Sequence, residues 1–302
     1  MEDKKKRKKK YLDNRNWKEY NEELVKRGEF YIRPSFLASW NNEINKINSG
    51  KIGQPYLYPE SMIESLGILH CKSFDYRSLE GIMRVLSEAH NNFPVIDYSQ
   101  ICRRVNDLEF DFSTDEKNLI VAVDGSGEKV GNRGDWIRHK WKVKRGWIKV
   151  VIMGARNKYG KISIIDIRVG KEDLDERKTA RAMIVKNNSI IDKVAMDGLH
   201  DCRKTFNLCE RYDIPTAIKI RKNANTKALG SPRRRQEVII YQSMPHEEWV
   251  REKNFGERWP LSEGVFSADK RIFGEEVSAK KKRNMYHEVK LKFWAYNQLL
   301  KL

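Results

Sequence analysis

Apolar residues recur at helical spacing through the first third of the chain, then give way to short β-branched runs. Residues 17–32 (WKEYNEELVKRGEFYI) predict a short helix ending near Gly28, followed by an extended piece. Gly50, Gly53, Pro55 and Pro59 mark a link to the next block. Residues 61–70 and 75–86 each carry helically spaced apolar positions. A turn at Asn91, Asn92, Phe93 and Pro94 precedes a third such segment, residues 97–108, with Asp97 or Ser99 as its N-cap. Helix, short break and helix resemble a helix-turn-helix. Its second helix would present Ser99, Gln100, Arg103 and Arg104 to a major groove, where arginine pairs with guanine and glutamine with adenine. An ordinary helical bundle with arginines on its wet face has the same pattern.

From about residue 117 the texture changes. Residues 119–123, 147–154, 162–169, 194–196 and 216–220 are short, β-branched and bounded by Gly, Asn or charge, as strands are. Helical segments are expected at 175–186 and 201–212, another from Ser262, and a last one over roughly 284–300. Three strands in succession, then helix, strand, helix, strand, predict an α/β fold: a ribonuclease-H-like mixed sheet with flanking helices, preceded by an all-helical region. The expected division is a basic flexible arm at 1–16, a helical DNA-binding domain at 17–113 and a catalytic domain at 114–302. No internal repeat is visible.

Charge narrows the partners. Sixty Lys and Arg against 42 Asp and Glu leave a net +18, which suits a polyanion such as nucleic acid. Residues 1–10 (MEDKKKRKKK) hold seven of those basic residues and almost nothing apolar, a solvated tail or a DNA-backbone arm without sequence preference. An apolar content of 39% is too rich for a wholly disordered chain. No apolar run approaches the roughly 18 residues that span a bilayer, and no secretory signal is evident. A cytoplasmic protein is the expectation. Cys71, Cys102, Cys202 and Cys209 lack the close pairs of a zinc site and read as reduced thiols.

Three acids stand where chemistry would need them. Asp124 ends the apolar run 119–123, and Asp197 ends another, Val194-Ala-Met. A carboxylate at a buried strand end is costly unless a cation binds there. The alternative for both is a turn, since Asp before Gly often begins one. Glu263 opens an amphipathic helix. At about 100° per residue Glu263 and Lys270 share its polar side, while Val265, Phe266, Ala268, Ile272 and Phe273 face the other way. Carboxylates at strand ends, joined by one on a helix, can converge on two divalent cations that clamp an in-line phosphoryl displacement. Lys270 is then placed to hold a DNA phosphate. Asp201 is expected to N-cap the helix after Asp197. Basic clusters follow the acids: eight Lys/Arg from Lys129 to Lys149, with Trp136, Trp141 and Trp147 interleaved, and seven from Lys219 to Arg235. They nominate Arg145, Lys149, Arg221, Lys222, Arg233 and Arg234, with Arg258 and Lys270, as DNA contacts. Such runs are more often solvated faces, and strand tryptophans more often core.

With these residues in view, the chain resembles the DDE transposases of prokaryotic insertion sequences, in the group conventionally numbered five. The segments VAVDGSGEKVGNRGDWIRHKW and RGWIKVVI are similar to that family's first-acid block and following strand. VAMDGLHDCRKTF resembles the second-acid segment, IKIRKNA the strand after it, and YRSLEGIM and DYSQICRR the N-terminal half. Family members carry a Tyr, Arg, Glu, Lys signature with six residues between Glu and Lys, which Glu263 and Lys270 match. The family's arginine position falls at Trp259, with Arg258 beside it, and its tyrosine position at Gly256. The resemblance implies a transposase that binds terminal inverted repeats, cleaves at element ends and joins the 3′-hydroxyls to target DNA. It implies Asp124, Asp197, Glu263 and Lys270 as catalytic residues and the three acids as ligands of two Mg²⁺, with Mn²⁺ able to substitute. It also implies double-stranded DNA as partner and a homodimer on that DNA, with no membrane and no small-molecule cofactor. A ribonuclease-H-like endonuclease without strand transfer, and a silent transposase-derived DNA-binding protein, are the rival readings. The acids lie 73 and 66 residues apart, so only a strand, a basic loop at 223–235 and a helix are expected before Glu263.

Overall fold

The structure, a computed structural model, describes residues 16–90, 93–131 and 146–302. The basic arm, Asn91 and Asn92 of the expected turn, Trp136, Trp141 and the candidate DNA contact Arg145 lie outside the described residues. Five helices come first: α1 (Trp17–Ile32), α2 (Phe36–Asn48), α3 (Glu60–Cys71), α4 (Tyr76–Ala89) and α5 (Tyr98–Val105). The Asn16 side chain caps α1 by accepting from Lys18 N–H. α1 runs past Gly28 and stops at Ile32, because Pro34 drives the residue before it out of the helical region. α2 has no counterpart among the expected elements. Its asparagines favour turns, and packing of Phe36 and Trp40 on Phe93 outweighs that preference. Asp75 caps α4, and Asp97, not Ser99, caps α5, taking the Ser99 and Gln100 amides on one carboxylate oxygen.

The remainder alternates. After β1 (Leu119–Val130), β2 (Trp147–Arg156) and β3 (Ile162–Lys171) come α6 (Glu176–Asn187), β4 (Ile191–Met196), α7 (Arg203–Arg211) and β5 (Thr216–Ile218). Next are α8 (Pro232–Ser243), α9 (His246–Glu252), α10 (Arg258–Leu261), α11 (Glu263–Phe273), β6 (Glu276–Val277) and α12 (Lys282–Leu299). The sheet order is β3-β2-β1-β4-β5, with β1–β3 antiparallel and β4 and β5 parallel to β1. This is the expected α/β architecture: a mixed sheet with flanking helices and a helical N-terminal region.

Two local expectations need correction. β1 does not end before Asp124: it continues to Val130, because β2 stays paired with it from Asp124↔Ile152 to Lys129↔Trp147. And the basic loop before Glu263 is shorter than expected. Pro232, preset for the first turn of a helix, starts α8, and α9 and α10 follow.

Alternation along β1 divides the core. Leu119, Val121 and Val123 pack with Val151, Met153 and Ala155 of β2 beneath Ala180, Met183 and Phe206 of α6 and α7. The opposite face of β2 (Ile148, Val150, Ile152) is continuous with Val265 and Phe273 of α11, Phe293 of α12 and Met62, Leu79 and Ile101 of α3–α5. The N-terminal helices and the sheet therefore share one apolar core. On this second face lie Ala122, Asp124, Ser126 and Glu128. Two carboxylates are buried there: Glu128 and Asp269 of α11 are both fully inaccessible, with no hydrogen bond to either one's oxygens among the described residues. The Lys292 Nζ of α12 stands 3.9 Å from Glu128, but donates to the Gly274 and Glu276 carbonyls at 3.0 and 2.7 Å. Among the described residues, no helix is long and apolar enough to cross a membrane.

Burial pushes the Glu128 carboxyl up to about 7, with Lys292 and Lys270 opposing and Glu275 and Glu288 adding to the rise. The folded chain thus binds this proton more tightly than the unfolded one. Its contribution to stability is complete below the unfolded value near 4.5 and is lost as pH rises through about 7. Glu128→Gln should remove that loss. Relative to the variant, the wild type should weaken by on the order of 2 kcal/mol between about pH 5 and about pH 8, measured by urea unfolding. An unchanged difference at the two pH values would show that Glu128 titrates normally.

Candidate active site

Strand register brings the first two acids together. Ala122 of β1 is in step with Ala195 of the parallel β4. Two residues on, Asp124 comes alongside Asp197, both on the face shared with α10–α12. β4 ends at Met196 while β1 continues, and β6 joins β1 only at Lys129. Between those points no described strand pairs with that edge of β1, and Asp124 lies in the gap.

The third acid arrives from α11, and its approach depends on a glycine. The backbone of α10 lies directly on Gly154 of β2, and a Cβ there would overlap the Leu261 carbonyl. Ala122, the partner of Gly154, is the smallest residue with a side chain, so β1 leaves the same space. The close approach brings the Arg258 guanidinium between two carboxylates. Its Nη1 donates to Asp124 Oδ2 at 3.1 Å and its Nη2 to Glu263 Oε1. Arg258 is 15% exposed. It fills the place between Asp124 and Glu263 with positive charge, rather than facing outward as a DNA contact. Trp259, at the family's arginine position, is exposed.

Burial pushes the Asp124 carboxyl above the ordinary aspartate range; the Asp197 and Glu176 carboxylates add to this, against the Gly125 amide and Arg258. The site therefore accumulates more negative charge than its surroundings solvate, and its three acids offer oxygen donors. That charge and donor set fit a hard divalent cation. As the side chains stand, no three His, Cys, Asp or Glu among the described residues are close enough together to hold a metal.

Lys270 is half-buried. Its Nζ donates to Ser126 Oγ at 3.0 Å and to the Gly127 carbonyl at 2.9 Å, tying α11 to β1 two residues beyond Asp124. Asp201 is not a helix cap. Cys202 occupies that position in α7, and the buried Asp201 carboxylate instead receives two bonds from Arg234, at 2.6 and 3.1 Å, and one from Arg221 N–H. The Arg221 side chain donates to the Gly198 and Leu199 carbonyls at 2.7 and 3.0 Å. Arg221 and Arg234 thus brace the turn after Asp197. Arg104 is likewise internal, donating to the Tyr58 carbonyl at 3.0 Å over the Tyr56 ring. Ser99 Oγ is taken by Asp97. Lys149 is paired with Glu176 at 2.6 Å. Arg233 lies 3.8 Å from Glu237, while Arg103 and Lys222 are exposed. Gln100 is half-buried.

The sequence reading missed Glu176 and His200. Glu176 follows the α6 cap Asp175 and looks like an ordinary first-turn acid. His200, three residues after Asp197, is fully buried, with Nε2 3.6 Å from Glu176 Oε1 and 4.0 Å from Asp197 Oδ1.

The family described as "Transposase DDE domain" matches residues 25–133, about a third of the chain, taking in Asp124 but neither Asp197 nor Glu263. No curated protein matches the sequence. Among solved structures, the Drosophila P element transposase strand transfer complex is similar at 9% identity over 94% of this chain and 86% of that one, with a TM-score of 0.30.

Gly154→Ala should destabilise the protein by about 1–3 kcal/mol in urea unfolding, because the Leu261 carbonyl is backbone and cannot turn away. Gly256→Ala, whose Cβ would meet open space, should stay within about 0.5 kcal/mol of wild type. Equal effects would show that α10 does not depend on the glycine.

Proposed function

We propose that the chain is a DNA transposase of the DDE type, which binds the terminal inverted repeats of its element, cleaves at the ends and joins the 3′-hydroxyls to target DNA. The observation that carries this reading is Asp124, flanked by Asp197 through strand register and joined to Glu263 through Arg258, in the gap along β1 of a mixed sheet. The transposase-domain match, which contains Asp124, supports the same reading.

Asp124, Asp197 and Glu263 would hold two Mg²⁺, or Mn²⁺ in their place. When bound, such a pair supplies a clamp on the attacking and leaving oxygens of a phosphodiester. Arg258 offsets part of the charge of Asp124 and Glu263 and holds both carboxylates to one guanidinium. Lys270, by fastening α11 to Ser126 and Gly127, sets how far Glu263 reaches over the strand; its charge also suits a phosphate beside the scissile bond. Among the candidate contacts, exposed Arg103 and Lys222 are the better placed to meet a DNA backbone, ahead of half-buried Arg233 and Gln100. The net charge of +18 would draw both element ends and target, and two copies would present one site to each end.

Asp124→Asn, Asp197→Asn and Glu263→Gln should each abolish cleavage of a plasmid carrying the DNA that flanks the reading frame, while end binding stays near wild type. Cleavage should require Mg²⁺ or Mn²⁺, with Ca²⁺ supporting binding only. Retention of more than a few per cent of cleavage by one variant would take that residue out of the site. Cleavage without strand-transfer products would reduce the protein to an endonuclease. Lys270→Ala should weaken both cleavage and the end complex, and Lys270→Arg should recover part of each.

A further inference from the structure

The two faces of β1 have different tasks around Asp124. Gly125 and Gly127 point to the α6 side, opposite Asp124 and Ser126. A Cβ on Gly125 would collide with the carboxylate of Glu176 and with Cε of Lys149. The missing side chain leaves a slot, and the Lys149–Glu176 ion pair fills it, directly behind the strand that carries the first acid. Lys149 belongs there by register, because it pairs with Gly127 and so shares its face. Burial raises the Glu176 carboxyl, but His200 and Lys149 more than offset it and leave it below the ordinary glutamate range.

From Glu176 the contacts continue to the second acid. His200 ends the short turn Gly198–His200, which Asp197 itself caps by accepting from Leu199 N–H at 2.9 Å. The ring is fully buried, and among the described residues neither of its nitrogens has a partner within hydrogen-bond distance. Nε2 lies between the Glu176 and Asp197 carboxylates. A buried imidazole wedged between two carboxylates, with one of them pinned by a lysine, has little freedom to rotate. The turn it belongs to sets the direction of Asp197.

The geometry points to Lys149, Glu176 and His200 as a positioning relay, which braces the Asp197 turn from behind the sheet and so fixes the angle at which Asp197 meets a divalent cation. This rests on the reading of Asp197 as a metal ligand. None of the three residues reaches the reacting atoms in this role. Groups that orient metal-ligating side chains commonly matter about tenfold or more for affinity. Lys149 is then part of the scaffold rather than a DNA contact.

The test is Mn²⁺ binding to the full-length protein without DNA, followed by electron paramagnetic resonance, so that no turnover is needed. Asp197→Asn sets the scale. Glu176→Gln, which keeps shape, should raise the Mn²⁺ dissociation constant about tenfold. His200→Ala should do the same, His200→Gln should recover part of the loss by restoring a nitrogen near the Nε2 position, and Glu176→Gln combined with His200→Ala should be no worse than either alone. If His200→Ala does not fold, as judged by circular dichroism, Glu176→Gln and His200→Gln carry the test, with non-additivity in their double variant. Lowered melting temperatures with unchanged Mn²⁺ affinity would leave these residues a purely structural role and overturn the inference. An effect of Glu176→Gln without one from the His200 variants would mean charge acting through space, and overturn it too. If Asp197→Asn itself leaves Mn²⁺ binding unchanged, the metal-ligand reading fails, and the relay falls with it. If Asp197→Asn weakens binding and the relay variants do not, only the relay is wrong.

Discussion

A carboxylate on the central strand of a sheet is expensive, and Asp124 is such a carboxylate. Burial and two neighbouring acids, Asp197 and Glu176, press it towards its neutral form. The arrangement survives because three features relieve the cost. The parallel partner β4 stops beside it, and no described strand pairs with that edge of β1 there. Arg258 places a guanidinium against Asp124 and Glu263 together. On the other face, Lys149 pairs with Glu176 in the space that Gly125 leaves and offsets the charge Glu176 presents to Asp124. Remove the small residues at 125 and 154 and neither Glu176 nor Arg258 could approach the strand.

The same economy shows in the basic residues. A chain with net charge +18 invites every arginine to be read as a nucleic-acid contact. Several are internal fasteners instead. Arg234 and Arg221 converge on buried Asp201 and on the carbonyls of the turn after Asp197, Arg104 ties α5 to the segment before α3, and Lys292 holds the Gly274 carbonyl ahead of β6 and the Glu276 carbonyl at its start. Where the acceptor is buried, as the Asp201 carboxylate is, the loss of one partner would strand the other. Buried charge of this kind clusters around the segments that carry Asp197 and Glu263. Electrostatic attraction to DNA is then left to the residues that remain on the surface.

Much of the architecture could be read along the chain. Periodicity located α3, α4 and all five main strands, and Asp75 and Asp97 were legible as helix starts, because capping and amphipathicity are local properties. Local reasoning failed where neighbours outvoted it. α2 forms from asparagine-rich sequence because Phe36 and Trp40 find Phe93. β1 outruns its apolar stretch because β2 supplies hydrogen bonds past Asp124. Asp201, a plausible cap by position, is drawn away by an arginine 33 residues further on.

The sequence by itself determined the alternation that makes a mixed sheet, the charge of the surface and the presence of Asp124, Asp197 and Glu263 at the edges of apolar segments. These depend on residue type and short-range spacing. Only the tertiary structure decided that Ala122 and Ala195 are in step, that Arg258 stands between two acids, that Lys149 faces Glu176 rather than solvent, and that His200 lies buried beside Asp197. Strand register and the meeting of residues more than twenty positions apart are set by the packing of whole elements. No local pattern in the chain encodes them.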